Sequence, residues 1–87
     1  MDYQRIYNQI ISRAVDENNL RLSRKDSGEY FELHHVIPKC MGGSDIQSNI
    51  AVLTAREHFL CHWLLCRIYP SNNKIVHAFW LMCSWNF

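Results

Sequence analysis

The sequence predicts a small α+β fold in the order helix, strand, loop, strand, helix, helix. Three observations carry that expectation. The chain has 87 residues, of which 48% are hydrophobic, enough for one packed domain over residues 1–87 and little more. Two short strand-like runs, "YFELHH" and "IAVL", flank a loop broken by Pro38 and Gly42-Gly43. Apolar residues at helical spacing recur on either side of that pair.

The first helix is read from "DYQRIYNQIISRAVDEN", where Tyr3, Ile6, Tyr7, Ile10, Ile11 and Ala14 share one face and Asp2 is the expected N-cap. The polar stretch "NNLRLSRKDSGEY" reads as a loop. "TAREHFLCHWLLCRIYP" opens with Thr54 and, three residues on, Glu57: a capping box that marks a helix start, with Pro70 marking its end. Nearly every position past Glu57 is apolar except the histidines and Arg67, so this helix is expected to be central and largely buried. A last helix is expected through "NNKIVHAFWLMCSW", capped by Ser71. The apolar tail "AFWLMCSWNF" must cover itself on something. Packing within the domain is favoured, with a homodimer through this helix, or a segment lost from the chain, as the alternatives.

Nine Lys and Arg stand against eight Asp and Glu, a balance unlike that of a non-specific nucleic-acid binder, so any grip on nucleic acid must be local. Cys40, Cys61, Cys66 and Cys83 form no CxxC pair, so no zinc ribbon is indicated, and they read as small buried hydrophobes. No apolar run reaches bilayer length and no signal peptide is evident, so no membrane role is expected and the cytoplasm is the default location.

Chemistry concentrates in four histidines. His58 and His62 are four apart on the capped helix, neighbours on one face and able to grip one metal ion. A third ligand must come from elsewhere, and His34 on the first strand is the expected one. His35 follows it directly. Successive strand residues point to opposite faces, so His35 is expected to stay off the ion and to serve as a base, given an ordinary imidazole pKa of about 6.5. Glu32 shares a face with His34 and is placed to hydrogen-bond a ligand or the base. Asn49, just before the second strand, is placed either to orient the ring of His35 or to brace the loop through backbone bonds.

Taken in order, "ELHH", the following Pro38, "GG", "NIAVLT" and "HFLCH" resemble the HNH nucleases of the ββα-metal (His-Me finger) fold, over residues 32 to 62. The metal histidines are similar to those of the nuclease colicins, and the setting is similar to the small HNH endonucleases of bacteriophages, including homing types. The resemblance implies a nuclease core over about residues 30–69, flanked by the terminal helices. It implies that His34, His58 and His62 hold one divalent metal. It makes His35 the general base, with Asn49 and Glu32 as supporting catalytic residues: Asn49 matches a position that orients the base in some members and touches the metal in others, and Glu32 an acidic position that is structural in the colicin-like proteins.

The implied reaction is hydrolysis of DNA phosphodiester bonds, by nicking or double-strand cleavage, in which His35 activates water and the metal offsets charge on the phosphate and the 3′ leaving oxygen. Three imidazoles favour zinc binding, with Mg²⁺, Mn²⁺ or Ni²⁺ as activating alternatives. DNA is the implied partner. Arg21, Arg24, Lys25 and Lys39 rank first among the basic residues as backbone contacts, ahead of Arg5, Arg13, Arg56 and Arg67. Many phage relatives carry a DNA-binding module after the nuclease unit, which here would be a missing C-terminal segment, and a host-cell cytoplasmic setting follows if the chain is phage-encoded. The competing expectation is a non-catalytic, zinc-stabilised module that binds DNA or protein.

Overall fold

In the computed structural model, which describes residues 1–85, the order is α1 (Tyr3–Asp16), α2 (Asn18–Asp26), β1 (Glu32–His35), β2 (Ile50–Leu53), α3 (Ala55–Ile68) and α4 (Asn73–Trp85). The predicted α+β class holds: two antiparallel strands and α3 form a ββα unit, with helices on either side in sequence. Asn86 and Phe87, the end of the apolar tail, lie outside the described residues.

The Asp2 side chain caps α1 by accepting from Arg5 N at 3.0 Å. Tyr7, Ile11 and Ala14, spaced at helical intervals, are the buried stripe of this helix and meet Ala51, Leu53, Cys61, Leu64, Leu65 and Ile75 in the core. In the strand pair Glu32 lies opposite Leu53, Leu33 opposite Val52, His34 opposite Ala51 and His35 opposite Ile50. The two-residue period buries His34 among core neighbours and leaves Leu33 exposed.

One expected loop is a helix. The stretch "NNLRLSRKDSGEY" contains α2, and its stability comes from tertiary bonds that composition does not reveal. Asn18 Nδ2 donates to Ile50 O at 2.8 Å, while Asn18 Oδ1 accepts from Val52 N at 2.9 Å. Arg21 Nη1 adds a bond to Val52 O at 3.0 Å. A side-chain amide and a guanidinium thus satisfy the free edge of β2, where a third strand would otherwise pair.

The capping box of α3 forms as predicted: Glu57 N donates to Thr54 Oγ1 at 3.1 Å and Thr54 N to Glu57 Oε1 at 2.9 Å. Only one face of α3 is buried, through Cys61, Leu64 and Leu65; Phe59, Leu60 and Trp63 remain substantially exposed, so the helix is less enclosed than its composition predicts. The cap of α4 is Asn72 rather than Ser71. Asn72 Oδ1 accepts from Lys74 N and Ile75 N at 3.1 and 3.2 Å, two amides that an N-cap side chain can reach. Cys61 is buried and Cys66 and Cys83 partly so, but Cys40 is exposed. None of the helices among the described residues is long and apolar enough to cross a membrane.

Between the strands, the chain makes two single 3₁₀ turns, Lys39–Met41 and Gln47–Asn49. Gly42 closes the first with φ 92°, a left-handed conformation that favours glycine. Gly43 is required for a different reason: a Cβ there would lie 1.8 Å from Ile37 O. The loop folds back on itself at this point, which brings residues 44 to 49 against the end of β1.

Candidate active site

β1 and α3 bring three imidazoles together. The rings of His34 and His58 have centroids 5.2 Å apart, those of His34 and His62 5.1 Å, and those of His58 and His62 4.8 Å. One nitrogen from each lies within 4.8 Å of the other two, a group able to hold a metal ion. The helical i, i+4 spacing supplies two of them, and the fold-back of β1 onto α3 supplies the third.

The surrounding hydrogen bonds select which nitrogen each ring presents. The Tyr7 hydroxyl donates its single proton to Val36 O at 2.7 Å and lies 2.8 Å from His34 Nε2. Its oxygen must therefore accept from His34 Nε2–H, which leaves His34 Nδ1 with the free lone pair. His58 Nδ1 lies 2.7 Å from Glu32 Oε1. The Tyr30 hydroxyl, followed by His58, holds the Glu32 carboxyl below its ordinary range, against the opposing effect of burial. Glu32 is thus an acceptor, His58 Nδ1 a donor, and His58 Nε2 the nitrogen that is left. His58 Nε2 and His62 Nε2 are 3.2 Å apart. Two nitrogens on a tetrahedral zinc ion, with Zn–N about 2.0–2.1 Å, are separated by about 3.3–3.4 Å. The pair is spaced as chelating nitrogens are.

Burial favours the same chemistry. Desolvation, reinforced by His62, His58 and His35, lowers the pKa of His34 to about 3. Desolvation and then His58 lower that of His62 to about 4. Neutral imidazole is the form that binds metal, so the residues present fit a divalent transition ion. The thiol of Cys61 on the same helix is pushed up to about 12 by burial and then by Glu57, which keeps it a protonated core group rather than a thiolate ligand.

His35 stands apart from this cluster. Its Nε2 lies 2.7 Å from Asp45 Oδ1, and the other Asp45 oxygen accepts from Lys39 Nζ at 3.1 Å. Asn49 does not hold the His35 ring. Its Oδ1 accepts from Ile37 N at 2.8 Å, and its Nδ2 donates to Ile37 O at 3.1 Å and Ser44 O at 2.8 Å. Of the two placements expected for Asn49, the structure gives the loop brace. Glu32 likewise reaches the ring of His58 rather than that of His35.

His34, His35, His58 and His62 line one cleft of about 270 Å³, walled by Leu33, Pro38, Leu65 and Ile75 and bordered by Lys39 and Lys74. Of the four basic residues ranked first for DNA contact, only Lys39 lines it. Arg21 is corrected: it is 7% exposed and pairs with Glu57 at 2.6 Å and Glu17 at 2.9 Å, an anchor between α2 and α3 that has no free face for a phosphate. Arg24 pairs with Glu29 at 2.7 Å, and Lys25 donates to Phe31 O at 3.2 Å. Sequence reasoning missed Tyr7, Asp45 and Lys74. Tyr7 looked like one more apolar position on α1. Asp45 carried a faint signal, as an acid just after the glycine pair, and Lys74 none.

This chain matches proteins whose names refer to nucleases. It is 49% identical over 84 residues to "Probable mobile endonuclease E" of Enterobacteria phage T4, a match covering 97% of this chain and 54% of that protein. It is 39% identical over 84 residues to "Probable mobile endonuclease D" of the same phage, covering 92% and 30%. It is 38% identical over 84 residues to "Probable mobile endonuclease C", covering 97% and 37%. The chain thus spans about half of the first of these relatives and about a third of the other two. No protein-family model matches the chain, and no solved structure matches it.

Proposed function

We propose that the chain is an HNH-type, metal-dependent endonuclease unit, one domain with its core over about residues 30–69, that hydrolyses phosphodiester bonds in DNA. One observation carries this reading: three imidazoles converge on one point while a fourth, in the same cleft, is held off it by a carboxylate. A structural metal site has no need of that fourth group. The relatives' names support a nuclease on independent grounds.

His34 Nδ1, His58 Nε2 and His62 Nε2 would hold the ion. A bound divalent ion supplies Lewis-acid stabilisation of charge on the phosphate and on the departing 3′ oxygen. His35 accepts a proton from water, and the resulting hydroxide adds to phosphorus as the bond to the 3′ oxygen breaks. Glu32 and Tyr7 keep two ligand rings in the tautomer that exposes the correct nitrogen. Lys39 and Lys74, at the rim of the cleft, neutralise flanking phosphates.

The test is relaxation of supercoiled plasmid by the purified protein with Zn²⁺, Ni²⁺, Mn²⁺ or Mg²⁺. The expected result is nicking or linearisation with at least one of these ions, lost in His35→Ala while zinc binding persists. Zinc binding with no cleavage under any ion would instead identify a structural module.

A further inference from the structure

We infer that Asp45 is the positioning residue for His35, and that Asn49 acts on the same ring only at one remove, through the loop that carries Asp45. The inference rests on the nuclease reading above and adds a residue to it.

The geometry is a chain of contacts. Asn49 ties Ile37 N, Ile37 O and Ser44 O, clamping together the two ends of the segment between residues 37 and 44. Gly43 permits the close approach to Ile37 O that this clamp requires. Asp45 follows Ser44 directly, so the clamp sets where its carboxylate stands. From there one oxygen meets His35 Nε2 at 2.7 Å and the other meets Lys39 Nζ at 3.1 Å. Asp45 is largely exposed, and a single exposed pair would hold a ring weakly. Two partners and a braced backbone restrict the carboxylate far more than either pair alone.

The consequence concerns protons. A carboxylate accepts and cannot donate, so it holds the neutral His35 ring as the Nε2–H tautomer. The lone pair is then on Nδ1, and that is the atom that takes the proton from water. As the ring becomes imidazolium, its Nε2–H stays bonded to Asp45, and the new positive charge is met by a negative one. No proton passes to Asp45. Asn49 touches neither nitrogen, so its contribution is to the placement of the carboxylate.

The experiment compares the zinc-loaded wild type with Asp45→Ala, Asp45→Asn and His35→Ala. Long-range proton–nitrogen NMR correlations report the tautomer of each histidine ring, the signal missing from His35→Ala identifies His35, and plasmid nicking gives kcat and KM. In the wild type, His35 is expected as the pure Nε2–H tautomer. In Asp45→Ala the ring should become a mixture, with kcat down by about ten- to a hundredfold and KM and zinc affinity unchanged. Asp45→Asn retains an accepting oxygen, so it should restore the tautomer and recover part of kcat. A His35 ring that keeps the Nε2–H form in Asp45→Ala, or nicking within twofold of wild type, overturns the inference and leaves the nuclease reading standing. If the wild type nicks with none of Zn²⁺, Ni²⁺, Mn²⁺ or Mg²⁺, the nuclease reading fails, and the tautomer comparison still decides whether Asp45 sets the ring.

Discussion

Tyr7→Phe removes one oxygen and tests the link between α1 and the histidine cluster. Tyr7 is 4% exposed, so no water stands ready to replace its hydroxyl. That hydroxyl donates to Val36 O at 2.7 Å and accepts from His34 Nε2, 2.8 Å away. Without it, the part-buried Val36 carbonyl and the buried ring N–H of His34 both lose a partner. Leaving such groups unsatisfied costs about 1–3 kcal/mol, so the midpoint of chemical denaturation of the metal-free protein should fall accordingly. The second effect is on the metal affinity proposed for His34. With nothing to hold its proton on Nε2, His34 no longer presents Nδ1 exclusively. Loss of such a supporting bond typically costs about 10–100-fold in metal affinity. Competition titration against a chromophoric chelator reads the zinc Kd directly. A Kd within twofold of wild type would refute the tautomer assignment, even if stability fell as expected.

Three further outcomes follow from the same geometry. The pKa values of His34 and His62 are lowered to about 3 and about 4, below the unfolded value of 6.5. Between those limits the unfolded chain binds more protons, so stability is full above about pH 6.5 and is lost as pH falls toward the folded values. Metal-free protein should lose about 2 kcal/mol for each of the two imidazoles between pH 7 and pH 5, read by urea denaturation; a flat profile would contradict their buried, neutral state. Arg21→Met breaks the ion pairs to Glu57 and Glu17 and should destabilise by about 2–3 kcal/mol while leaving DNA affinity and its salt dependence unchanged; a weaker salt dependence would return Arg21 to the DNA interface. Gly43→Ala forces a methyl against Ile37 O and should cost about 3 kcal/mol, with nicking reduced further because the Asp45 loop moves; wild-type stability would mean that the close approach is relieved cheaply.

What could be read in the sequence was local. The Thr54–Glu57 box and the His58–His62 pair each depend on residues three or four apart, and both formed where expected. The alternation of Glu32 and His34 against Leu33 needs only the strand period. What could not be read depends on distant partners. Helix α2 is held by Asn18 and Arg21 on the free edge of a strand some thirty residues away, which polar composition does not announce. Tyr7 bonds His34 across 27 positions, and Asp45 reaches His35 only because the loop doubles back at Gly43. The sequence leaves Asn49 two placements, ring holder or loop brace, and its bonds to Ile37 and Ser44 give the second.

X-ray absorption at the zinc edge tests the centre of the account. Loaded wild-type protein should show one zinc per chain with three imidazole nitrogens at about 2.0–2.1 Å, unchanged in His35→Ala and reduced by one in His34→Ala. A sulfur scatterer at about 2.3 Å, or a ligand lost when His35 is removed, would contradict it.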